Sequence, residues 1–260
     1  MSHTYHRSGL GSYHGHMQQR LPSQFEHPIA FAHRGARAHA QENTLEAFSL
    51  ALRLGANGLE SDVWSTADGQ VVLDHDGIVK VGLRKRPIAE MARSQLPSHI
   101  PTLDEMLDFC GTSYQLSLDI KDSAALPIVI SVVRNSDSSM LERLWLCHPD
   151  YRYLVANRSI TDGAHLVDST RLAKIKESPE RRAAILAESG IDACNMHYTD
   201  WNGGLVTLFH RFKVATFSWD LQFEPVLQTA YRMGIDAVYS DWVDRMVDVY
   251  QHEIGVPARS

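Results

Sequence analysis

The feature that most constrains the fold is a regular alternation of short apolar runs with longer amphipathic segments, which begins at Ile29. Each apolar run has the length of a buried strand, and several segments between them have helical periodicity and end at a glycine. This order is typical of βα units arranged around a parallel sheet. The predicted strands are residues 29–33, 58–63, 71–75, 115–121, 143–147, 164–168, 192–196, 213–219 and 236–240. The predicted helices include residues 43–54, 101–110, 178–189, 203–211 and 223–233.

Nine strands are one too many for a regular eight-stranded barrel, and the sequence indicates where the extra strand lies. Only WSTADGQ separates the runs 58–63 and 71–75, which is too short for a helical crossover. We therefore predict a β-hairpin over about 58–75 that brings Glu60 near His75. The other eight strands fit an α/β barrel of the TIM (β/α)8 type, for which about 250 residues is an ordinary length.

The barrel domain is predicted to span residues 29–260. Residues 1–28 mix His, Gly, Ser and Gln without an apolar period, so we predict a disordered tail or an appended segment there. The formal net charge of −6 is spread along the chain. It gives no electrostatic reason to expect a nucleic acid partner, and it favours a small-molecule substrate.

Several features favour a soluble cytoplasmic protein. No run approaches the ~18 apolar residues of a membrane span, and the N-terminus lacks the hydrophobic core of a signal peptide. Cys110, Cys147 and Cys194 are odd in number, lie far apart and sit inside apolar stretches. This pattern is typical of buried thiols in a reducing compartment. The sequence does not indicate an oligomeric state.

Carboxylates alternate with apolar residues on two predicted strands. In GLESDVW, Glu60 and Asp62 share one strand face, and in QLSLDIKD, Asp119 and Lys121 do the same. In a barrel covered by helices this polar face points inward, where burial without a partner would cost several kcal/mol. Two carboxylates so close are stable together only with a cation or a proton between them. Hard oxygen ligands suit Mg²⁺ or Ca²⁺.

Two histidines stand at the ends of predicted strands, His33 in AHRG and His75 in VVLDHD. In TIM barrels the active site lies at the C-terminal ends of the strands. Imidazoles with an unperturbed pKa near 6.5 can accept and donate protons at neutral pH. The histidines and the carboxylates together therefore predict a catalytic site.

Six motifs follow one another along the N-terminal half of the chain, AHRG, ENTLEAF, GLESDV, DGQVVLDHD, IPTLDEML and LSLDIK, and FSWDLQ and GIDAVYSDW follow near the C-terminus. In order and spacing they resemble the successive motifs of the glycerophosphodiester phosphodiesterase family, over nearly everything after residue 28. The resemblance implies a phosphodiesterase barrel in which two histidines act as general acid and base. It also implies a divalent metal held by three carboxylates, with Mg²⁺ or Ca²⁺ as the first candidates and Mn²⁺ as a third.

The resemblance implies a role for nine residues of this sequence. The catalytic residues are His33 and His75, and the metal ligands are Glu60, Asp62 and Asp119. The residues that contact the phosphate or the rest of the substrate are Arg34, Glu42, Lys121 and Trp219.

The sequence departs from the family pattern in three places. Asp119 stands where the family usually has glutamate. Asp220 and Gln222 follow Trp219 where threonine and asparagine are usual. After Asp76, the segment GIVKVGLRKRP replaces a threonine-rich loop.

The activity implied by the resemblance is hydrolysis of glycerophosphodiesters to sn-glycerol 3-phosphate and an alcohol such as choline or ethanolamine, a step of lipid and glycerol metabolism. Two alternatives stay open at this point. One is a lysophospholipase D or sphingomyelinase D-like enzyme on the same barrel, which would need an apolar slot for an acyl chain. The other is a non-catalytic protein that binds phosphate esters.

Overall fold

The computed structural model describes residues 20–82 and 84–259, which form a closed β-barrel surrounded by helices. The strands are β1 (Ile29–Ala32), β2 (Gly58–Ser65), β3 (Val71–Leu73), β4 (Ile78–Val81), β5 (Arg84–Pro87), β6 (Gln115–Ile120), β7 (Leu144–His148), β8 (His165–Ser169), β9 (Ala193–His197), β10 (Ala215–Trp219) and β11 (Ala237–Ser240). Eight of them run parallel in the order β1-β2-β6-β7-β8-β9-β10-β11, and β11 pairs with β1 to close the barrel.

The helices of the described residues cover the outside of the barrel. They are α1 (Leu45–Arg53), α2 (Leu103–Cys110), α3 (Ala125–Ser136), α4 (Tyr151–Ala156), α5 (Pro179–Glu188), α6 (Gly203–Arg211), α7 (Glu224–Arg232) and α8 (Val243–Ile254). Side-chain oxygens cap the first turns of α1, α2, α4, α5 and α6. In α2, Thr102 accepts the N–H of Glu105 at 3.1 Å, and Glu105 Oε2 accepts the N–H of Thr102 at 2.8 Å.

The predicted α/β barrel of the TIM type is confirmed. All nine predicted strands and the five predicted helices are present, with ends within two residues of the predicted ones. The predicted hairpin is confirmed as well, because β3 pairs antiparallel with β2 and sets Val63 opposite Leu73. The pairing continues to Asp62, whose carbonyl oxygen accepts the N–H of Asp74 at 3.1 Å. This register carries His75 to the mouth of the barrel.

Five elements lie outside the predicted set: β4, β5, α3, α4 and α8. Strands β4 and β5 form a separate antiparallel hairpin within GIVKVGLRKRP, where charged residues obscure the alternation expected of a strand. Helix α3 contains five β-branched residues within 128–133, interrupted by Ser131, a composition that favours strands. Its helical form comes from packing against α2 and β2, which sequence pattern alone does not report.

The barrel interior is apolar at one end and polar at the other. Alternate residues of six strands fill it: Ile29, Phe31, Trp145, Cys147, Val167, Ala193, Ala215, Phe217, Ala237 and Tyr239. On β2 and β6 the inward face instead carries Glu60, Asp62, Ser117 and Asp119. A Cβ on Gly58 would lie 2.5 Å from the Phe31 ring, so glycine at this position lets the ring fill the floor beside β2. The polar groups therefore meet at the mouth.

The described part of the predicted tail contacts the barrel. Residues 1–19 lie outside the described residues, but the Leu21 N–H donates to the Arg232 carbonyl at 2.9 Å. The buried carboxylate of Asp236 accepts the Ser23 hydroxyl at 2.7 Å and the Gln24 N–H at 2.6 Å. Residues 20–28 therefore contact the end of the barrel opposite the mouth.

Asp236 is expected to be a main determinant of stability, because it also accepts the Thr216 N–H and the ring of His210, each at 2.7 Å. Asp236→Asn would set an amide donor against these donors. We expect a loss of about 3–5 kcal/mol in the free energy of unfolding, measured by urea denaturation. Asp248→Asn, on the exposed face of α8, is the control and should change it by less than about 0.5 kcal/mol.

The wild-type protein and Asp236→Asn should differ in free energy of unfolding by an amount that depends on pH in a defined direction. Burial opposes ionisation of Asp236, but His210 and the other hydrogen bonds outweigh it and hold its pKa below the usual value. A lowered pKa in the folded state contributes stability above the unfolded pKa of about 3.9, and this contribution is lost as the pH falls through the folded pKa. The difference between the wild-type protein and Asp236→Asn should therefore narrow below about pH 4. A difference that widens toward low pH would contradict this account.

The cysteines agree with the predicted thiol state: Cys147 and Cys194 are buried, Cys110 is half-buried, and all three are free. Among the described residues, every helix is too short or too polar to cross a bilayer.

Candidate active site

A cavity of about 390 Å³ opens at the C-terminal ends of the barrel strands. Eight of the nine predicted site residues line it: His33, Arg34, Glu60, Asp62, His75, Asp119, Lys121 and Trp219. Glu42, the ninth, is not among the lining residues. The strand register explains this convergence, because His33, Asp62, Asp119 and Trp219 continue the inward-facing rows of their strands to the barrel mouth.

Three carboxylates form a compact acidic cluster on β2 and β6. Asp62 lies beside Asp119 in the parallel register, and one oxygen of each of Glu60, Asp62 and Asp119 lies within 4.8 Å of the others. Burial raises the pKa of Glu60 to about 8; His33 lowers it, and Asp62 and Asp119 add to the rise. Burial also raises the pKa of Asp119, although Lys121 opposes the shift. The cluster therefore favours a cation or a proton.

The cluster fits a divalent cation with hard oxygen ligands. Oδ2 of Asp62 is buried and has no hydrogen-bond partner among the described residues. Arg34 Nε lies 3.5 Å from this oxygen without forming a hydrogen bond to it, and a cation bound by all three carboxylates would satisfy it.

Lys121 lies beside two members of the acidic cluster. Its Nζ is 2.9 Å from Asp62 Oδ1 and 3.1 Å from Asp119 Oδ2. Burial alone would lower the pKa of Lys121, but Asp119 and Asp62 outweigh it and raise the pKa. The ammonium group is thus charged and reaches the cavity from the wall that holds the cluster.

His33 is held by a carboxylate that the sequence did not assign to the site. Asp241, the residue after β11, lies 2.7 Å from His33 Nδ1, and His33 Nε2 lies 3.9 Å from Glu60 Oε2. Burial opposes protonation of His33, but Glu60 and the hydrogen bond to Asp241 outweigh it and raise its pKa. In the neutral ring the Asp241 carboxylate favours the proton on Nδ1, which leaves Nε2 unprotonated and able to accept a proton.

The turn after β1 explains the sequence His33-Arg34-Gly35. Arg34 has a left-handed backbone with φ of 54°, and its N–H donates to Glu60 Oε2 at 2.8 Å. Gly35 follows with φ of 77°, and a Cβ there would lie 2.7 Å from the backbone of Ala47. Glycine therefore lets α1 pack against the turn while the histidine and the arginine stay at the barrel mouth.

Glu42 contacts arginines of the same loop. Its carboxylate accepts Arg34 Nη1 at 3.1 Å and lies 2.9 Å from Arg37 Nε. Arg34 Nε lies 3.5 Å from Asp62 Oδ2, so the guanidinium spans the space between Glu42 and the acidic cluster. These contacts give Glu42 a part in holding the arginines, and its predicted contact with substrate stays a prediction.

His75 lies across the cavity mouth on the loop after β3. Its Nδ1 is 2.7 Å from Asp76 Oδ1, and the side chain is 40% exposed. The hydrogen bond to His75 lowers the pKa of Asp76. In each of the two predicted catalytic histidines, one ring nitrogen is therefore hydrogen-bonded to a carboxylate.

Trp219 forms the wall opposite the acidic cluster. Its ring stands nearly perpendicular to that of His197, at 4.5 Å between centroids, and the Arg171 guanidinium lies 5.6 Å from the ring centroid. Arg171 is itself paired with Asp200 at 2.6 Å. This wall offers an aromatic face and a fixed positive charge to a bound molecule.

Several lining residues were not predicted, among them Arg37, Arg171, Asp220 and Asp241. Two of them could have been predicted from their position in the sequence, because Asp220 and Asp241 directly follow barrel strands. Asp220 has a left-handed backbone, with φ of 68°, and pairs with His197 at 3.1 Å. Arg37 and Arg171 lie on loops, where a charged residue has no periodic signal.

A sequence model of the glycerophosphoryl diester phosphodiesterase family matches residues 33–245 of the chain. The matched span begins at His33 and includes all nine predicted site residues. A curated relative in Mycobacterium tuberculosis, named probable glycerophosphodiester phosphodiesterase 1, is 54% identical over 50 residues. The match covers 19% of this chain and 18% of that protein, so the chain spans about a fifth of the relative's length.

Solved structures share the fold over most of the chain. The glycerophosphodiester phosphodiesterase of Thermotoga maritima has a TM-score of 0.74 at 24% identity, covering 86% of this chain and 98% of its own. A phosphodiesterase of Oleispira antarctica, in complex with the product sn-glycerol-3-phosphate, has a TM-score of 0.70 at 20% identity and covers 88% and 98%. These likenesses establish the barrel independently of the sequence motifs.

Proposed function

The chain belongs to the glycerophosphoryl diester phosphodiesterase family, a family of phosphoric diester hydrolases, and we propose that it hydrolyses glycerophosphodiesters to sn-glycerol 3-phosphate and an alcohol. One observation carries the proposal: two carboxylate-bound histidines, a compact acidic cluster and two cationic side chains, Arg34 and Lys121, line one cavity. Proton transfer and neutralisation of phosphate charge are the two demands of phosphodiester hydrolysis.

The lining of the cavity favours a deacylated substrate. Trp219 and Tyr239 are its only large apolar side chains among the described residues, and the other lining groups are mostly charged or polar. An acyl chain would need an apolar slot that this lining does not supply. The glycerol 3-phosphate bound to the Oleispira antarctica neighbour supports a glycerophosphate ligand of the same kind.

In the proposed mechanism, His33 Nε2 accepts the proton of the attacking hydroxyl, which belongs either to water or to the glycerol 2-carbon. Attack by the glycerol 2-hydroxyl gives a cyclic phosphate first, and a water molecule then opens the ring to sn-glycerol 3-phosphate. Asp241 stabilises the imidazolium that forms, as the third group of a catalytic triad does. His75, oriented by Asp76, donates a proton to the leaving alkoxide. Arg34 supplies a planar fork to the phosphate oxygens, and Lys121 supplies a point charge.

Glu60, Asp62 and Asp119 would hold the divalent cation, with Mg²⁺ or Ca²⁺ preferred for their oxygen ligands. When bound, the cation supplies polarisation of the phosphate and a lowered pKa for an oxygen nucleophile. Lys121 and Arg34 keep the neighbouring phosphate oriented while the histidines move protons.

The test is an assay of the purified protein with glycerophosphocholine, with sn-glycerol 3-phosphate and choline measured separately. We expect equal amounts of both products. Release of lysophosphatidate from lysophosphatidylcholine, without hydrolysis of glycerophosphocholine, would favour the lysophospholipase D alternative. Binding of glycerophosphocholine without turnover in the presence of Mg²⁺, Ca²⁺ or Mn²⁺ would favour a non-catalytic binding protein.

Asp119 allows a specific prediction, because it stands where the family usually has the longer glutamate. Asp119→Asn should weaken metal affinity by about tenfold or more, since it removes one of three anionic ligands. Asp119→Glu should keep activity, because the carboxylate is retained on a longer side chain. Calorimetric titration with Mg²⁺ and Ca²⁺ measures both effects. Unchanged affinity with full turnover in Asp119→Asn would remove Asp119 from the metal site.

A further inference from the structure

We infer that the β4–β5 hairpin, residues 78–87, binds the surface of an anionic phospholipid bilayer. The hairpin lies outside the barrel sheet and carries four cationic side chains and no carboxylate, in a chain whose formal net charge is −6. The cations are Lys80, Arg84, Lys85 and Arg86. Among residues 20–82 and 84–259, none of the four forms an ion pair with a carboxylate.

The cross-strand register sets like charges against each other. Lys80 lies directly opposite Lys85, and both side chains are exposed. Like charges in directly opposed positions destabilise a pair of strands. The folded protein alone gains nothing from this arrangement, whereas an anionic surface would neutralise both ammonium groups.

Apolar side chains are interleaved with these cations. Ile78 is 51% exposed and Val81 44% exposed, while Val79 between them is buried against the barrel. A hairpin anchored through Val79 thus presents Ile78 on the same face as Lys80 and Lys85, and Val81 beside Arg84 in the last cross-strand pair before the turn. This combination suits the bilayer interface, where apolar groups enter the acyl boundary and cations meet anionic headgroups.

The same composition argues against nucleic acid. The hairpin 78–87 has no aromatic side chain for stacking on bases and no Asn or Gln to read base edges. Its two exposed β-branched residues would stay in water on a polyanion but not at a bilayer. An anionic lipid surface therefore accounts for the charges and the apolar residues together.

Docking would bring the cavity mouth to the bilayer. The Ile88 N–H donates to the Gly77 carbonyl at 2.8 Å and closes the base of the hairpin, and Gly77 follows His75 by two residues. The hairpin therefore begins next to a lining residue of the cavity. The inference concerns binding of the protein to a bilayer surface and does not depend on the proposed hydrolysis.

The experiment is co-sedimentation of the full chain with vesicles, either of phosphatidylcholine alone or with one third phosphatidylglycerol. We expect binding to the anionic vesicles only, and weaker binding when NaCl is raised from about 0.1 M to about 1 M. Lys80→Glu with Lys85→Glu should reduce the partition coefficient by at least about tenfold. Ile78→Ser with Val81→Ser should reduce it without changing the charge.

The matched control is Arg211→Glu with Lys213→Glu, the same change in charge at the opposite end of the barrel, which should leave binding unchanged. Lys80→Gln with Lys85→Gln should also lose binding while its melting temperature is equal or higher, because repulsion is relieved. Absence of vesicle binding, equal binding to both vesicles, or full binding by the hairpin variants would overturn the inference. Hairpin-dependent binding of a fluorescent oligonucleotide without vesicle binding would also overturn it, in favour of nucleic acid.

Discussion

His33→Ala should lower kcat by about 10²–10⁴, the usual contribution of a positioned proton-transfer group, while the protein stays folded. The expectation rests on its position, since Nδ1 is 2.7 Å from Asp241 and Nε2 faces the acidic cluster. His75→Ala should fall in the same range, because it removes the second proton-transfer group. Steady-state hydrolysis of glycerophosphocholine gives kcat, and circular dichroism checks the fold.

The Asp241→Asn variant tests whether Asp241 positions and stabilises His33 without transferring a proton itself. The amide keeps the size of the side chain but can no longer stabilise an imidazolium, so kcat should fall while KM changes little. The double variant His33→Ala with Asp241→Asn should lose little more than His33→Ala alone, because the two residues act as a unit. Additive losses would show that Asp241 acts independently of His33.

The chain offers a matched control pair. His39 and Asp244 are also joined by an Nε2–Oδ1 contact, at 3.0 Å, but neither lines the cavity. His39→Ala and Asp244→Asn should therefore leave kcat unchanged. If His33→Ala keeps near wild-type turnover, or if the control pair loses as much activity, His33 has no part in the proton transfer.

The difference between His33 and Asp241 shows what the sequence reveals of such a site. His33 was predicted because it ends an apolar strand in a motif, and Glu60, Asp62 and Asp119 because they alternate with the other residues of their strands and so share the inward face. Asp241 contacts His33 across 208 positions of sequence. That contact exists only because β11 pairs with β1 to close the barrel, which is a property of the whole fold. Sequence periodicity predicts on which face of a strand a residue lies. It does not predict which residue from a distant part of the chain will contact it.

The same distinction holds for the fold. The β2–β3 hairpin could be predicted because the short connection before Val71 excludes a helical crossover, which is a local constraint. The β4–β5 hairpin could not, because Lys80, Lys85 and their neighbours hide the alternation and only Val79 is anchored to the barrel. Glu42 was assigned to the substrate by its resemblance to the family's glutamate after the first strand. The fold shows its carboxylate in contact with Arg34 and Arg37, which the sequence did not indicate, and its contact with substrate stays a prediction.

Exhaustive chelation is expected to abolish hydrolysis, and Mg²⁺, Ca²⁺ or Mn²⁺ is expected to restore it. Three buried or half-buried carboxylates with oxygens within 4.8 Å of one another repel strongly. Glu60→Gln and Asp62→Asn should each lose activity that excess metal does not restore, because each removes a ligand charge at nearly constant volume. Activity that persists at confirmed zero metal content would contradict a metal-dependent mechanism.

A buried carboxylate outside the cavity serves as the control. Asp168 on β8 faces Arg182 at 3.7 Å, and burial raises its pKa to about 6 despite that arginine. Asp168→Asn changes a buried charge outside the cavity, so any change in melting temperature is a general effect on stability, and Arg182 keeps Glu177 at 3.1 Å. The metal affinity of Asp168→Asn in the folded state should equal that of the wild-type protein, which separates general loss of stability from loss of a ligand.

The acidic cluster could be neutralised by Lys121 instead of a divalent cation. Chelation distinguishes these two explanations. The Lys121 ammonium lies 2.9 Å from Asp62 and 3.1 Å from Asp119, so a lysine could neutralise part of the cluster without a metal. Arg34 Nε also lies 3.5 Å from Asp62 Oδ2, so two cationic side chains stand against three carboxylates and leave the cluster with an excess of negative charge. If the cation is the resident partner, chelation should lower the melting temperature, and added Mg²⁺ or Ca²⁺ should raise it in proportion to affinity. If Lys121 suffices, chelation should leave the melting temperature unchanged, and calorimetry should detect no divalent ion binding in the wild-type protein.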